Sequence, residues 1–446
     1  MLTRFGIKES HYSFIIFFIT CILFLYSTSK QKRYQPIIAH IILGMLLFLA
    51  GNFLYQLFLT YLDIPVWDFL CFYLFGNVGS SGLNFYDPNV FLQIFNDLNL
   101  QIKGNTGFMS EIVNVGFWYP PPSMFLFLPL ALFDLPTSHV IWQTILILFL
   151  ILDILLLLKY YPFKVNKPGN RKISNLLLLS SILLFPNLIS SIKIGQTISI
   201  FLFFLILFLD NVDNWKAGLF LALLIVIKPL GAIFALYFLF FKKWRILTSF
   251  LFTGCLILII SLLFFGVDAF LVFFKSPPTA RIPPGILYES ANQSLHAVLL
   301  RAQLKLTGNV NFQSIKVITY VVSIFMILLT FYSSKLIEKK NRLLSFMAFI
   351  PMALLIYPNT LSSYTIILIP VVIYFFIQNP LDEPMNVVLL FFLYGTGFYN
   401  FFAFNLVLWF ILIAWPLKGR FNLLGDFRLK LPAPEFDDKR QVELQQ

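Results

Sequence analysis

Of the 446 residues of this chain, 59% are hydrophobic and only 12% are charged. A soluble domain carries about 25% charged residues, so the composition excludes a soluble protein. The formal net charge of +12 sits in short basic clusters between apolar runs, a pattern that orients membrane helices and argues against a nucleic-acid partner. The three cysteines, Cys21, Cys71 and Cys255, are far apart and lack metal-ligand spacing.

Apolar runs of the length that a membrane helix requires, about 20 residues, recur along the chain. They lie at 12–28, 36–62, 137–159, 173–191, 196–211, 245–274, 314–335, 342–357 and 361–378. Two longer stretches, 215–241 and 385–417, are predicted to be folded pairs of shorter helices. The sequence therefore predicts an all-α, polytopic integral membrane protein with about 12 to 13 transmembrane helices.

The charges predict the orientation of these helices. Four basic clusters separate the apolar runs and are placed in the cytoplasm, at 30–33, 159–172, 242–245 and 335–342. The segment 61–119 carries acidic residues against a single lysine, Lys103, and is predicted to lie outside together with the polar segment 275–313.

These assignments predict one transmembrane domain over residues 1–417. Its outer loops, 61–136 and 275–313, form the predicted active-site face. Residues 418–446 form a polar tail that is predicted to be cytoplasmic.

Several segments have less regular patterns. The stretch 215–241 is predicted to cross outward and return with its break at Lys228-Pro229, because proline ends or kinks a helix; one long kinked helix is the alternative. The run 120–134 is interpreted as a re-entrant or interfacial helix that begins at the proline triplet. The segments 66–78 and 88–98 are interpreted as helices on the outer surface.

Asp68 is the first candidate for chemistry, because it follows the second apolar run at the edge of the bilayer. Partial burial would raise its proton affinity and suit it to act as a general base. The alternative is that Asp68 only caps the following helix. Lys228 either extends to the membrane surface or faces an anion. Asp153 is interpreted as structural, either paired or extended toward the surface.

Other polar residues also allow a structural interpretation. The segment 84–88 is typical of a helix-starting turn, and Trp118-Tyr119 is typical of an aromatic belt at the membrane interface. The triplet Asn292-Gln293-Ser294 also fits an N-glycosylation acceptor.

Six short motifs follow one another along the chain. They are Asp68, Tyr86-Asp87, Tyr119-Pro120-Pro121, Gly195-Gln196, Ile227-Lys228-Pro229, and Asn292-Gln293-Ser294-Leu295 with Arg301. Their order and topology, over about residues 40–380, resemble the family 87 glycosyltransferases, which are membrane enzymes of the GT-C fold. Known members include polyprenyl-phosphate-mannose-dependent α-mannosyltransferases and related arabinofuranosyltransferases. This chain departs from the family pattern over 357–364, which lacks the histidine expected there.

The resemblance implies an inverting transfer of mannose or a similar sugar from a polyprenyl-phosphate donor to a glycan or glycolipid hydroxyl. Asp68 would be the general base. The donor phosphate would be bound by cations, namely Lys228, Arg301, Arg281 and His296. The implied substrate-binding residues are Tyr86, Asp87, Tyr119, Gln196, Asn292 and Gln293.

The family also implies a reaction without a metal or other cofactor, at the extracytoplasmic face of the cell inner (plasma) membrane. Two other classes remain open on the sequence. A transporter or flippase of lipid-linked sugars would also use broken helices with polar groups near the breaks. A non-catalytic subunit of an envelope-assembly complex would keep the fold and tolerate the loss of Asp68.

Overall fold

The computed structural model describes residues 35–62, 68–98, 116–117, 119–160, 187–275, 287–378 and 400–421, with a few isolated positions between them. In chain order the α-helices are α1 Gln35–Leu62, α2 Asp68–Ser80, α3 Pro88–Asp97, α4 Leu135–Tyr160, α5 Leu188–Lys193, α6 Ile198–Asp210, α7 Lys216–Ile227, α8 Ala232–Phe240, α9 Trp244–Lys275, α10 Leu295–Thr307, α11 Phe312–Ile337, α12 Arg342–Met347, α13 Phe349–Ile356, α14 Ile369–Gln378 and α15 Phe401–Phe421. Helix α9 is kinked at Gly266. Short 3₁₀ helices cover Pro121–Leu126, Leu128–Leu132, Pro229–Gly231 and Ser362–Leu368.

The architecture confirms the predicted all-α membrane fold. Four described helices are long and apolar enough to cross a membrane, at His40–Leu62, Leu135–Lys159, Trp244–Lys275 and Phe312–Ile337. Shorter apolar helices of 10–17 residues pack among them. The predicted runs at 12–28 and most of 173–191, with the first part of 385–417 and the tail 418–446, lie outside the described residues.

The predicted break at Lys228-Pro229 is confirmed. Helix α7 ends at Ile227, Lys228 has an extended backbone, and a 3₁₀ turn begins at Pro229. Gly218, in the first turn of α7, lies against the backbone of Ile246 near the start of α9, and α8 ends only a few residues before α9 begins. Both ends of the 215–241 stretch therefore lie together, as the hairpin interpretation requires, and a single kinked helix is excluded.

A cluster of ion pairs holds the open end of this hairpin. Lys243 Nζ lies 2.5 Å from Glu338 Oε1, and Arg342 pairs with Glu338 at 3.2 Å and with Asp213. These four residues come from the segments that follow α6, α8 and α11. Two of the basic clusters assigned to the cytoplasm, 242–245 and 335–342, thus meet at one end of the bundle, and Lys228 lies away from that end.

Two predictions about the outer segments need correction. Helix α2 was expected on the outer surface, but nine of its 13 residues, including Phe69, Phe72 and Phe75, are buried. A helix that is apolar on all sides is typical of a protein interior, and this feature of the sequence outweighs the few polar positions. The helix expected over 120–134 is present as two 3₁₀ helices, and Phe127 between them stacks on Phe72 at 4.6 Å between ring centroids.

The close contact between α7 and α9 predicts the effect of one substitution. A methyl group at Gly218 would meet the backbone of Ile246 and Phe250, so Gly218→Ala should destabilise the fold by about 1–3 kcal/mol. Gly254→Ala in α9 is the matched control, because a methyl group there meets nothing within 4 Å. The two thermal unfolding midpoints in detergent test this, and equal midpoints would contradict the proposed contact.

Candidate active site

The centre of the candidate site is the buried side chain of Lys228, which is 1% exposed. Its Nζ atom donates hydrogen bonds to Gln196 Oε1 at 3.1 Å and to the Tyr364 hydroxyl at 2.9 Å. The same atom lies 5.6 Å from the centroid of the Tyr119 ring. The extended backbone at Lys228 ends α7 and directs one ammonium toward segments that are distant in sequence.

Asp68 is the first residue of α2 and is half-buried. Its carboxyl group interacts with the Gln196 side chain by hydrogen bonding and with the Lys228 ammonium by charge. Within the part of the chain that the structure describes, these two charged groups do not form an ion pair within 4.0 Å. The carboxylate and the ammonium thus share Gln196 without direct contact.

Burial controls the protonation of this carboxyl group. Desolvation raises the pKa of Asp68 to about 6, and the Lys228 ammonium and the Gln196 hydrogen bond limit the rise. The carboxylate of Glu289, in the segment 275–313, raises the pKa of Asp68 further. A carboxylate with a pKa of about 6 is ionised at neutral pH and is more basic than an exposed aspartate, which suits a general base.

The backbone at Asp68 does not favour the alternative of a helix cap. The N–H of Phe69, in the first turn of α2, donates to the carbonyl of Ile194 at 3.0 Å. Among the described residues, the Asp68 side chain accepts no hydrogen bond from its own helix. The first turn of α2 is therefore held by the Ile194–Gln196 loop.

The backbone and the surroundings at position 195, just before Gln196, require a glycine. Its φ angle is +82°, and a Cβ atom there would lie 2.6 Å from Phe69 Cβ. The Gly195 carbonyl also accepts a hydrogen bond from Trp142 Nε1 at 2.8 Å. This close approach brings the loop that carries Gln196 against the first turn of α2, so that Gln196 interacts with both Asp68 and Lys228.

The Tyr86-Asp87 and Tyr119 motifs form a wall beside this centre. The Tyr86 hydroxyl donates to the Tyr119 carbonyl at 2.8 Å, which fixes the segment that carries the Tyr119 ring. The Asp87 side chain caps α3 by accepting from the N–H of Asn89 at 2.9 Å, with Pro88 in the first turn. The structure thus confirms the turn interpretation of 84–88.

The Asn292-Gln293 motif binds a second loop rather than facing solvent. The buried Asn292 side chain donates to the Pro358 carbonyl at 3.2 Å and accepts from the N–H of Ser294 at 3.1 Å. The N–H of Gln293 donates to the Thr360 carbonyl at 2.7 Å. Because the Asn292 amide is buried and bonded, N-glycosylation at this position is excluded in the folded protein.

The other residues predicted to bind the phosphate have different contacts from Lys228. Arg301 Nη1 donates to the carbonyls of Glu289 and Asn292 at 2.7 and 2.8 Å, and so fixes the loop that carries Glu289. His296 Nδ1 lies 3.1 Å from Thr319 Oγ1. Burial lowers the pKa of His296, so that it supplies a hydrogen bond and not a charge at neutral pH. Arg281 lies outside the described residues.

Sequence reasoning missed the contact between Tyr364 and Lys228 and the surroundings of Asp153. Tyr364 lies in the stretch singled out only for lacking a histidine. Asp153 is fully buried in α4, and neither oxygen has a hydrogen-bond partner among the described residues, so the pairing or surface extension expected for it is wrong.

Comparison with known protein families identifies a family for this chain. A family model described as Glycosyltransferase family 87 matches residues 117–358, more than half of the chain. No curated protein and no solved structure matches this chain. The matched segment contains Tyr119, Gln196 and Lys228, whereas Asp68 precedes it and Tyr364 follows it.

The Gly195 contact predicts a second effect on stability. Gly195→Ala should cost about 2–5 kcal/mol, because it adds a left-handed non-glycine backbone and a steric clash with Phe69. Gly82→Ala is the matched control: its φ angle is +71°, but a methyl group there meets nothing within 4 Å, so it should cost only about 1–2 kcal/mol. Chemical unfolding in detergent measures both, and equal losses would argue against the close approach.

Proposed function

Because the chain belongs to glycosyltransferase family 87, we propose that this membrane glycosyltransferase uses a polyprenyl-phosphate-linked monosaccharide, mannose or a similar sugar, as its donor. The acceptor is a hydroxyl of a glycan or glycolipid. The observation that carries the proposal is the Asp68–Gln196–Lys228 cluster. It holds a half-buried carboxylate and a buried ammonium close together without direct pairing.

The reaction is a single displacement in this proposal. The acceptor oxygen attacks the anomeric carbon of the donor while Asp68 takes the hydroxyl proton. The bond between the anomeric carbon and the phosphate oxygen breaks, and its electron pair leaves with the lipid phosphate. Lys228 stabilises the charge that develops on that phosphate. Attack opposite to the leaving group inverts the anomeric configuration.

A lipid-linked monophosphate suits this site for two reasons. Apolar helices surround the cluster, and α9 exposes large side chains such as Leu263 and Phe264 that suit contact with acyl or polyprenyl chains. A monophosphate leaving group can be bound by cations alone, so the proposed mechanism requires no divalent metal. Arg281, from the segment 275–313, remains a further proposed contact to the phosphate, whereas Arg301 positions the loop that carries Glu289. Tyr119 and Gln196, which lie beside Lys228, remain the proposed contacts to the sugars. Tyr86, Asp87, Asn292 and Gln293 bond to other parts of the protein and position the site.

The ion-pair cluster of Lys243, Glu338, Arg342 and Asp213 supports a proposal for the side of the membrane on which the site lies. Lys243 and Arg342 belong to basic loops of the kind that remain in the cytoplasm. Lys228 lies at the far end of the hairpin from them. We therefore place the reaction at the extracytoplasmic side of the cell inner (plasma) membrane.

Asp68→Asn tests the general base. The amide keeps the shape of the side chain but accepts no proton, so transfer should fall by about 100-fold or more, while folding and donor binding remain. Asp97→Asn, at an exposed position in α3, is the matched control and should transfer normally. The assay incubates purified protein with a panel of polyprenyl-phosphate sugars and measures the lipid phosphate released. Wild-type turnover by Asp68→Asn would refute the assignment.

The raised pKa of Asp68 predicts a pH dependence. The base must be ionised and Lys228, whose pKa burial lowers to about 7, must be protonated, so the plot of kcat/KM against pH should be bell-shaped. It should fall below the Asp68 pKa of about 6, approaching a tenfold loss per pH unit, and fall again above about pH 7 as Lys228 loses its charge. The pH–rate profile of the wild-type enzyme measures this. A profile that stays flat down to pH 5 would contradict a base with this pKa.

A further inference from the structure

The hydrogen bonds around Lys228 leave two hydrogen-bond donor groups, one on Lys228 and one on Tyr364, close together in the site. An ammonium group has three N–H bonds, and two of those of Lys228 point to Gln196 Oε1 and the Tyr364 hydroxyl. The Tyr364 oxygen accepts the second of these bonds, so its own O–H bond is still available as a donor. Among the described residues, neither this O–H nor the third N–H of Lys228 meets a protein acceptor.

We infer that Tyr364 is a further residue that binds the sugar-donor substrate. Its hydroxyl donates a hydrogen bond to one oxygen of the substrate phosphate, while the third N–H of Lys228 donates to another. The inference rests on the proposed use of a polyprenyl-phosphate sugar. The two donor atoms are 2.9 Å apart, a spacing at which they can contact two oxygens of one phosphate group. The hydrogen bond that the Tyr364 oxygen accepts from the Lys228 ammonium also polarises the Tyr364 O–H bond, which makes this hydroxyl a stronger hydrogen-bond donor to the phosphate.

The backbone around Tyr364 is built to hold this hydroxyl in place. The residue lies in the 3₁₀ helix Ser362–Leu368 and is 4% exposed. The carbonyl of Ser362 accepts a hydrogen bond from Asn187 Nδ2 at 2.8 Å, and that of Ser363 accepts one from Ser191 Oγ at 3.1 Å. Helix α5 and the turn before it thus fix the two residues that precede Tyr364. A donor held in advance stabilises a developing charge without reorganisation.

The charge balance around Lys228 favours an anionic ligand over a neutral one. A buried ammonium without a paired carboxylate is costly, and within the described residues no carboxylate lies within 4.0 Å of Lys228. The faces of Tyr119 and Tyr364 contribute only cation–π attraction, at 5.6 and 4.2 Å from Nζ to the ring centroids. A phosphate at this place would supply a negative partner in direct contact, which the more distant Asp68 carboxylate does not.

Tyr364→Phe tests the inference, because it removes only the hydroxyl. Tyr237→Phe is the matched control: Tyr237 is equally buried, and its hydroxyl bonds to Ser345 near the ion-pair cluster. Dissociation constants are measured on the purified full chain for a short-chain polyprenyl phosphate, the corresponding polyprenol and inorganic phosphate. Tyr364→Phe should weaken polyprenyl-phosphate binding by about 10- to 100-fold and leave polyprenol binding unchanged. Tyr237→Phe should leave both unchanged.

A second variant keeps the test decisive if Tyr364→Phe does not fold. Tyr364→His retains an N–H donor and should recover part of the polyprenyl-phosphate affinity. Wild-type affinity in folded Tyr364→Phe, equal weakening of polyprenol, or no recovery in Tyr364→His would each overturn the inference. Inorganic phosphate that binds as tightly as the lipid phosphate would overturn the assignment to a lipid donor.

The inference and the proposed function can fail separately. If Tyr364→Phe loses affinity for polyprenyl phosphate but the wild-type chain releases none from sugar donors, the phosphate contact stands and the transfer reaction is wrong. If the wild-type chain transfers sugar and Tyr364→Phe binds and transfers equally well, the function stands and the Tyr364 contact is wrong.

Discussion

The cost of burying one ammonium group constrains the rest of this site. Lys228 is 1% exposed at a helix break within an apolar helical bundle, and an unbalanced charge in such surroundings costs several kcal/mol. Gln196, Tyr364 and the ring of Tyr119 each offset part of that cost. Because these residues come from distant segments, the ammonium also determines how those segments meet.

The carboxylate of Asp68 offsets part of the charge of Lys228 without direct contact. A direct ion pair with Lys228 would neutralise both groups and leave neither for a substrate. Gln196 instead interacts with both groups, and Gly195 allows its loop to approach the first turn of α2 closely. Desolvation then raises the pKa of Asp68 to about 6, which keeps it ionised and basic at neutral pH. A base and an anion-binding cation can thus act on different parts of one substrate.

Local sequence patterns predicted part of this arrangement. The Lys228-Pro229 break follows from proline chemistry, and the order of short motifs correctly grouped Asp68, Gln196 and Lys228. The burial of α2 and the contacts of Tyr364 depend on packing between distant segments, which no local pattern encodes. The same limit applies to Arg301: its residue type predicted a phosphate ligand, whereas its position lets it hold the carbonyls of its own loop.

The stereochemistry of transfer tests the central claim most directly, since Asp68 in the proposed role takes a proton and does not attack the sugar, which makes the proposed reaction a single displacement. The measurement is the anomeric configuration of the product, determined by nuclear magnetic resonance with a polyprenyl-phosphate sugar of known configuration. The account predicts that every product molecule is inverted relative to the donor. Retention of the donor configuration would require a covalent sugar intermediate or a different mechanism and would contradict it.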